Sequence, residues 1–414
     1  MKYKIYDLSA INNKTLISSD KFNNIKNLSV IHKTWIKHDK IYHILKYDKN
    51  MLTYDMVLDI GKWRSVVYSN NKINVFSPPK SVNIDIFANT YQIEECVVEE
   101  LIEGTMINLF YDEDINKWEI ASKSSIGGNV TFFKDQPTFA ELFNDICTEL
   151  DIDVNKFSKE YCYSLVIQHP QNKFVIPIKE KRLYFIAMYK IDNNNLTVTE
   201  ILSSTRDDPS SPIVNLDKDI LNKLSFPTIY NRASYNELAD KFASMNTNIY
   251  IMGVVIHHNG IRTKMRNPNY EYLKQLRGNN NKLQYQYLCL RKLNKVKEYL
   301  NYFPESRKQF NIFRIQIHLF TNSLHKNYIS CYIKKEKPLK EFSPQFRTHM
   351  YNLHQHYLEI RANNGFINKL IVINYVNGLE SAKLMYTLNY HLHQVSKQID
   401  INKDNLMDIE NVDN

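Results

Sequence analysis

The chain has 414 residues and a formal net charge of +9, with 43% hydrophobic and 23% charged residues. That length exceeds what one hydrophobic core usually organises, so two domains are expected. The residue balance excludes a disordered chain, and no run of eighteen apolar residues is present to cross a bilayer.

Only nine residues are glycine, about 2% against a usual content near 7%, so each is expected where little else fits. The abundance of Asn, Lys, Ile and Tyr matches AT-rich codons, which by itself would lower glycine. Residues 1–60 read as the N-terminal part of the first domain or as a small module. The stretch MKYKIYDLSAINNK lacks the apolar core of a signal peptide. Five scattered cysteines, Cys96, Cys147, Cys162, Cys289 and Cys331, include no C-x-x-C pair. Free thiols in a cytoplasmic protein are expected, with neither a disulfide framework nor a zinc ribbon.

Arg64 to Phe76 predicts a hairpin about Ser69-Asn70-Asn71-Lys72. Strand-like runs follow at CVVEELIEGTMINLFY, KWEIASKSS, GNVTFF, YSLVIQH, KFVIPI and RLYFIAMYKI. One helix interrupts them from Pro137 to Leu150, with Phe139, Phe143, Ile146 and Leu150 on one face and Pro137 near its first turn. The front is therefore α+β, built on antiparallel sheet. A connector over 203–245 leads to a strand at NIYIMGVVIHH. Beyond Tyr270 the periodicity turns helical, as in Leu283, Tyr287, Leu290 and Leu293, and again in Phe346, Met350, Leu353, Tyr357 and Ile360. Residues 271–400 carry twenty Lys or Arg against eight Asp or Glu, and residues 401–414 carry one Lys and four acids. The first of these segments is a basic helical domain, the second a disordered acidic tail. A neutral front and a basic back suit a polyanion such as RNA or DNA, or simply a soluble basic surface.

Arg64 and Lys80 flank the hairpin, with Pro78 and Pro79 stiffening the approach to Lys80; they are either a phosphate-gripping pair or two exposed cations. Arg262, Lys264 and Arg266 alternate along GIRTKMR and share one strand face, either a solvated edge or an anion site. His349, His354 and His356 miss the i,i+4 spacing of helical metal ligands and read as interfacial or surface residues, so no metal site is expected. The 28 tyrosines interleave with cations in YEYLKQLRGNNNKLQYQYLCLRK, where they either stack bases or fill a helical core.

Taken in order, these pieces resemble the adenylyltransferase domain of the phage-type RNA ligases, a branch of the covalent nucleotidyltransferases, over roughly residues 60–275. A further similarity is to ligase-like proteins of large DNA viruses. The corresponding stretches are Arg64, SPPK ending at Lys80, LIEG at Leu101 to Gly104, SKSSIGG at Ser122 to Gly128, and YSLV at Tyr163 to Val166. MGVV at Met252 to Val255 and KMR at Lys264 to Arg266 complete the series. The resemblance implies an ATP-grasp-like RNA-ligase nucleotidyltransferase domain over 61–270, followed by the mostly α-helical basic domain over 271–400. It also implies ATP or another nucleotide with Mg as cofactor, and RNA or another nucleic acid as partner of the basic domain, with no membrane.

The departures are as informative. The family's nucleophilic lysine falls on Leu101, its two later glutamates on Ser164 and Met252, and the second lysine of K-x-K on Arg266, while Glu103 is retained. Leucine offers no nucleophile, and no lysine lies between Lys80 and Lys117. The expectation is a catalytically degenerate nucleotide- and RNA-binding protein of RNA repair or processing, viral, in the host cytoplasm or virion. Its phosphate contacts would be Arg64, Lys80, Lys123, Lys264 and Arg266, with Glu103 beside the nucleotide. Gly104, Gly127, Gly128 and Gly253 would admit backbone close to the ligand. The alternatives are an active ligase with Lys80 or Lys264 as a displaced nucleophile, and a structural or assembly protein that keeps only the fold.

Overall fold

A computed structural model describes residues 3–12, 30–131 and 136–395; the acidic stretch 401–414 and the two phenylalanines of GNVTFF lie outside them. The chain divides into two units, Met1–Gln275 and Leu276–Asn414.

The strands of the first unit are β1 (Lys4–Asp7), β2 (Val30–Lys37), β3 (Lys40–Tyr47), β4 (Val66–Ser69), β5 (Lys72–Val75), β6 (Val97–Glu100), β7 (Thr105–Asp112), β8 (Lys117–Ala121), β9 (Tyr161–Gln168), β10 (Arg182–Asp192), β11 (Thr197–Leu202), β12 (Ile229–Tyr230), β13 (Gly253–His258) and β14 (Ile261–Arg266). Among the described residues they form three sheets, ordered β1-β11-β10-β9-β7-β8, β12-β6-β13-β14 and β2-β3-β4-β5. Neighbouring strands pair antiparallel throughout, as β9 does with both β7 and β10. The fold is thus mixed α+β on antiparallel sheet.

The six-stranded sheet is buried on both faces. Tyr163, Leu165 and Ile167 of β9 face one way, into a core with Leu142, Phe143 and Ile146 of helix Phe139–Glu149. Cys162 faces the other way, toward Tyr42, Ile44, Val67 and Val75 of the β2–β5 sheet. The third sheet packs Val98, Val254, Ile256 and Met265 against Phe87 of helix Ile84–Thr90 and against Leu238 and Phe242 of helix Tyr235–Phe242. Two-sided burial is why the strand runs read as nearly continuous apolar stretches.

The β4–β5 turn holds Asn70 at φ 46° and Asn71 at φ 59°, the paired left-handed residues of a tight hairpin turn. Helix Phe139–Glu149 starts two residues later than the expected start at Pro137. Thr138 is its cap, accepting from the Glu141 amide while the Glu141 side chain accepts in return.

Three expected strands need correction. KFVIPI is irregular, because the amides of Phe174, Val175 and Ile176 turn to the Glu103 carboxylate and not to a neighbouring strand. Residues 128–131 are also irregular, with Gly128 and Val130 carbonyls accepting from the Ala140 and Phe139 amides at the helix start. NIYIMGVVIHH is extended only from Gly253. Unforeseen were β1–β3, β11 and helix Ile84–Thr90; β1 pairs with β11, and β3 pairs with β4.

The second unit is helical, with Leu283–Lys292, Val296–Tyr302, Arg307–Tyr328, Pro344–Ile360, Lys369–Gly378 and Ser381–Leu388. The expected faces are inward at Tyr287, Leu290, Met350 and Leu353, but Leu293 follows its helix and is exposed. Tyr287 and Tyr299 both pack on Phe310, so these tyrosines fill core. His349 is buried, correcting its surface assignment: its ring nitrogens meet the Tyr375 and Thr387 hydroxyls at 2.9 and 3.2 Å. Burial, with Lys383 adding to it, pushes the imidazole down to about 4, which keeps it neutral. No helix among the described residues is long and apolar enough to cross a membrane.

Candidate functional site

Alternation along β14 puts Arg262, Lys264 and Arg266 on one face, as expected of a strand. Arg262 is buried and donates from Nε to the Pro79 carbonyl at 2.8 Å and from a terminal nitrogen to the Pro78 carbonyl at 3.2 Å. Arg64 donates to the same Pro78 carbonyl at 3.2 Å. Two guanidiniums therefore meet on one oxygen. The segment beyond is strapped on both sides: the Lys80 amide bonds Gly61, the Val82 amide bonds Arg262, and the Thr263 hydroxyl bonds the Val82 carbonyl. Lys80 leaves this fixed backbone with an exposed side chain. Lys123, just past β8, lies over the Tyr47 ring at 4.8 Å, and the Tyr47 amide bonds Trp63 next to Arg64. The structure thus brings Arg64, Lys80, Lys123, Lys264 and Arg266 together.

These groups are crowded and underpaired. Burial, then Arg262, pushes Arg64 down to about 10. Burial, then Arg64, Lys49, Lys46 and Lys80, pushes Lys123 down to about 8. Lys264 is held well below the ordinary lysine range by burial, with Arg262, Arg64, Arg266 and Lys80 adding to it. Arg266 pairs with Glu271 at 2.8 Å. Among the described residues, Lys80, Lys123 and Lys264 have no carboxylate partner. Cations collected without counter-charge make an anion site.

The crowding has a pH signature. An amine depressed on folding is already neutral in the native state while the unfolded chain still binds the proton, so stability rises with pH across that interval. We expect the contribution of Lys123 to ligand-free stability, read as parent minus Lys123→Met, to rise from about pH 8 toward the ordinary lysine range, whereas the raised thiols and phenols of Cys147, Cys162 and Tyr163 act in the opposite sense in both proteins. Phosphate affinity should fall over the same interval. Urea titrations of both proteins at stepped pH would show it, and a flat or falling difference between them would exclude the crowding.

The positions at which the resemblance expected other side chains are satisfied within the fold. Leu101 is buried, and its amide bonds the Gly253 carbonyl. The Ser164 hydroxyl donates to Asn108 at 2.6 Å, Asn108 donates to Ser77 at 3.0 Å, and Ser77 donates to the Ser65 carbonyl at 3.0 Å. Glu103 is buried, and its carboxylate accepts from the Phe174, Val175 and Ile176 amides at 3.0 to 3.2 Å. Gly104 and Gly253 admit strand backbone: a β-carbon would stand 2.4 Å from the Ile167 carbonyl oxygen at the first and 2.1 Å from that of Met265 at the second. The anchoring role of Arg262 was outside the expected phosphate contacts; its place in the alternating cation run was the available signal.

The donor set suits phosphate, not a protein-held Mg. No group of three His, Cys, Asp or Glu side chains among the described residues could hold a metal ion, and Glu103 and Glu271 are already engaged. A separate cleft of about 360 Å³ has paired charges, Lys72 with Glu113 and Lys190 with Glu160.

No protein-family model and no curated protein matches the sequence. Among solved structures, the chain is similar to an archaeal ATP-dependent RNA ligase in its forms 1 and 2, each at 12% identity. The TM-scores are 0.36 and 0.39, with 74% of this chain and 72% and 77% of those chains covered. It is also similar to a Naegleria gruberi RNA ligase variant with AMP and Mn, at 11% identity and a TM-score of 0.34, covering 61% of this chain and 82% of that one. Likeness at this level carries no conclusion about chemistry.

Proposed function

We propose that the protein binds the phosphates of a nucleotide or RNA through Arg64, Lys80, Lys123, Lys264 and Arg266, on a ligase-like scaffold without covalent transfer. The observation that carries this reading is the convergence of these cations with one paired carboxylate among the described residues. The ordered motifs of the sequence and the leucine at position 101 support it. The basic helical unit would add nucleic-acid backbone contacts of its own.

Binding of a single-stranded RNA, followed by fluorescence anisotropy across a salt series, tests this. With about five phosphates neutralised, affinity should fall about 100-fold between 50 and 200 mM salt. Labelled ATP with magnesium should leave no covalent band on a denaturing gel. Salt-insensitive or absent RNA binding would overturn the binding reading. A band lost in Lys80→Ala or Lys264→Ala would replace it with a displaced nucleophile.

A further inference from the structure

We propose that the cation cluster takes a condensed triphosphate free of divalent metal, either as a nucleoside triphosphate or at the 5′ end of a nucleic acid. This rests on the phosphate-binding reading above and adds the form in which the phosphate arrives.

Enzymes that use a magnesium-bound triphosphate usually hold the ion by one or two carboxylates as well as by the phosphates. Here each carboxylate that adjoins the cluster has another task. Glu271 is on Arg266 at 2.8 Å. Glu103 is wrapped by three backbone amides. Asp48 accepts from the Asn50 amide at 2.9 Å. Glu200 is buried, accepting from the Tyr6 and Tyr189 hydroxyls at 2.9 and 3.4 Å. No group of three His, Cys, Asp or Glu side chains among the described residues could hold a metal ion here.

What a metal would supply, the side chains supply instead. Arg64, Lys80, Lys123 and Lys264 have no carboxylate partner among the described residues. Their backbones are tied into one frame: Arg64 and Arg262 share the Pro78 carbonyl, and the strap fixes Lys80 beside β14. A fully ionised triphosphate concentrates negative charge over a short chain, which matches a compact set of cations better than the evenly spaced phosphates of a single strand. A divalent ion already bound to that chain cancels part of its charge and is repelled by the cluster.

Calorimetry with sodium tripolyphosphate, ATP and AMP, in EDTA and in excess magnesium chloride, tests the proposal. Tripolyphosphate and ATP should bind in EDTA, with affinity about tenfold weaker in magnesium, and AMP should bind at least about 100-fold more weakly than ATP. Lys80→Ala, an exposed position, should weaken tripolyphosphate about tenfold, while Lys190→Ala in the separate cleft should not. RNA carrying a 5′-triphosphate, compared with the same RNA carrying a 5′-hydroxyl, separates the two sources. Binding that requires magnesium, or RNA binding with no response to tripolyphosphate, would overturn this proposal and leave the phosphate-binding reading intact. If neither polyphosphate nor RNA binds, both fall.

Discussion

Glu103→Ala is expected to lower the stability of the protein by about 2–4 kcal/mol, because three backbone amides lose their common acceptor. The Phe174–Ile176 segment is not strand, and its three amides turn to this carboxylate. Each orphaned buried donor costs about 1–3 kcal/mol, and part of the sum is recovered as the partly exposed amides of Phe174 and Ile176 reach water. For a folding unit of this size, the loss corresponds to a melting shift of roughly 3–7 °C. Glu103→Gln keeps one carbonyl oxygen as acceptor and should lose less. Urea unfolding of the full chain measures both. A Glu103→Ala protein as stable as the parent, with nucleotide binding lost, would return this residue to the ligand contact that the family resemblance implies.

Lys264→Met should do the reverse, making the ligand-free protein more stable by about 1–2 kcal/mol while weakening phosphate binding by about 10–100-fold. Lys264 is partly buried on β14, crowded by Arg64, Arg262, Arg266 and Lys80, and has no carboxylate partner among the described residues. Methionine keeps the length of the stem and removes both the desolvation and the repulsion. Added tripolyphosphate should narrow the stability difference, since the parent gains stability from the ligand in proportion to its affinity. Equal stability of the two proteins in the absence of ligand would mean that the cluster is not electrostatically strained.

The cation face of β14 was legible because a two-residue period places alternate side chains together whatever the surroundings. The helix at 139–149 and the Asn70-Asn71 turn were legible for equally local reasons, a cap and two left-handed residues. The strands β2 and β3 were not, because VIHKTWIKHDKIYHILKY buries a charge. Lys40 lies inside the fold, with Asp112 and Asp114 each at 2.7 Å and Tyr42 donating to Asp112 at 2.6 Å. Partners some seventy residues away turn a polar position into a core position, and no local pattern reports that. KFVIPI failed for the same reason in mirror image: an apolar run was withdrawn from the sheet by one distant carboxylate.

The neutral chain from Ser164 through Asn108 and Ser77 to Ser65 admits no charge at its buried end. Ser164 is fully buried and Asn108 and Ser77 nearly so. A carboxylate placed at 164 would bring an acceptor against the Asn108 carbonyl oxygen, and turning that amide to meet it would strip Ser77 of its donor. Introducing an acid here therefore requires several concerted substitutions. A lone Ser164→Glu substitution would leave the fold less stable.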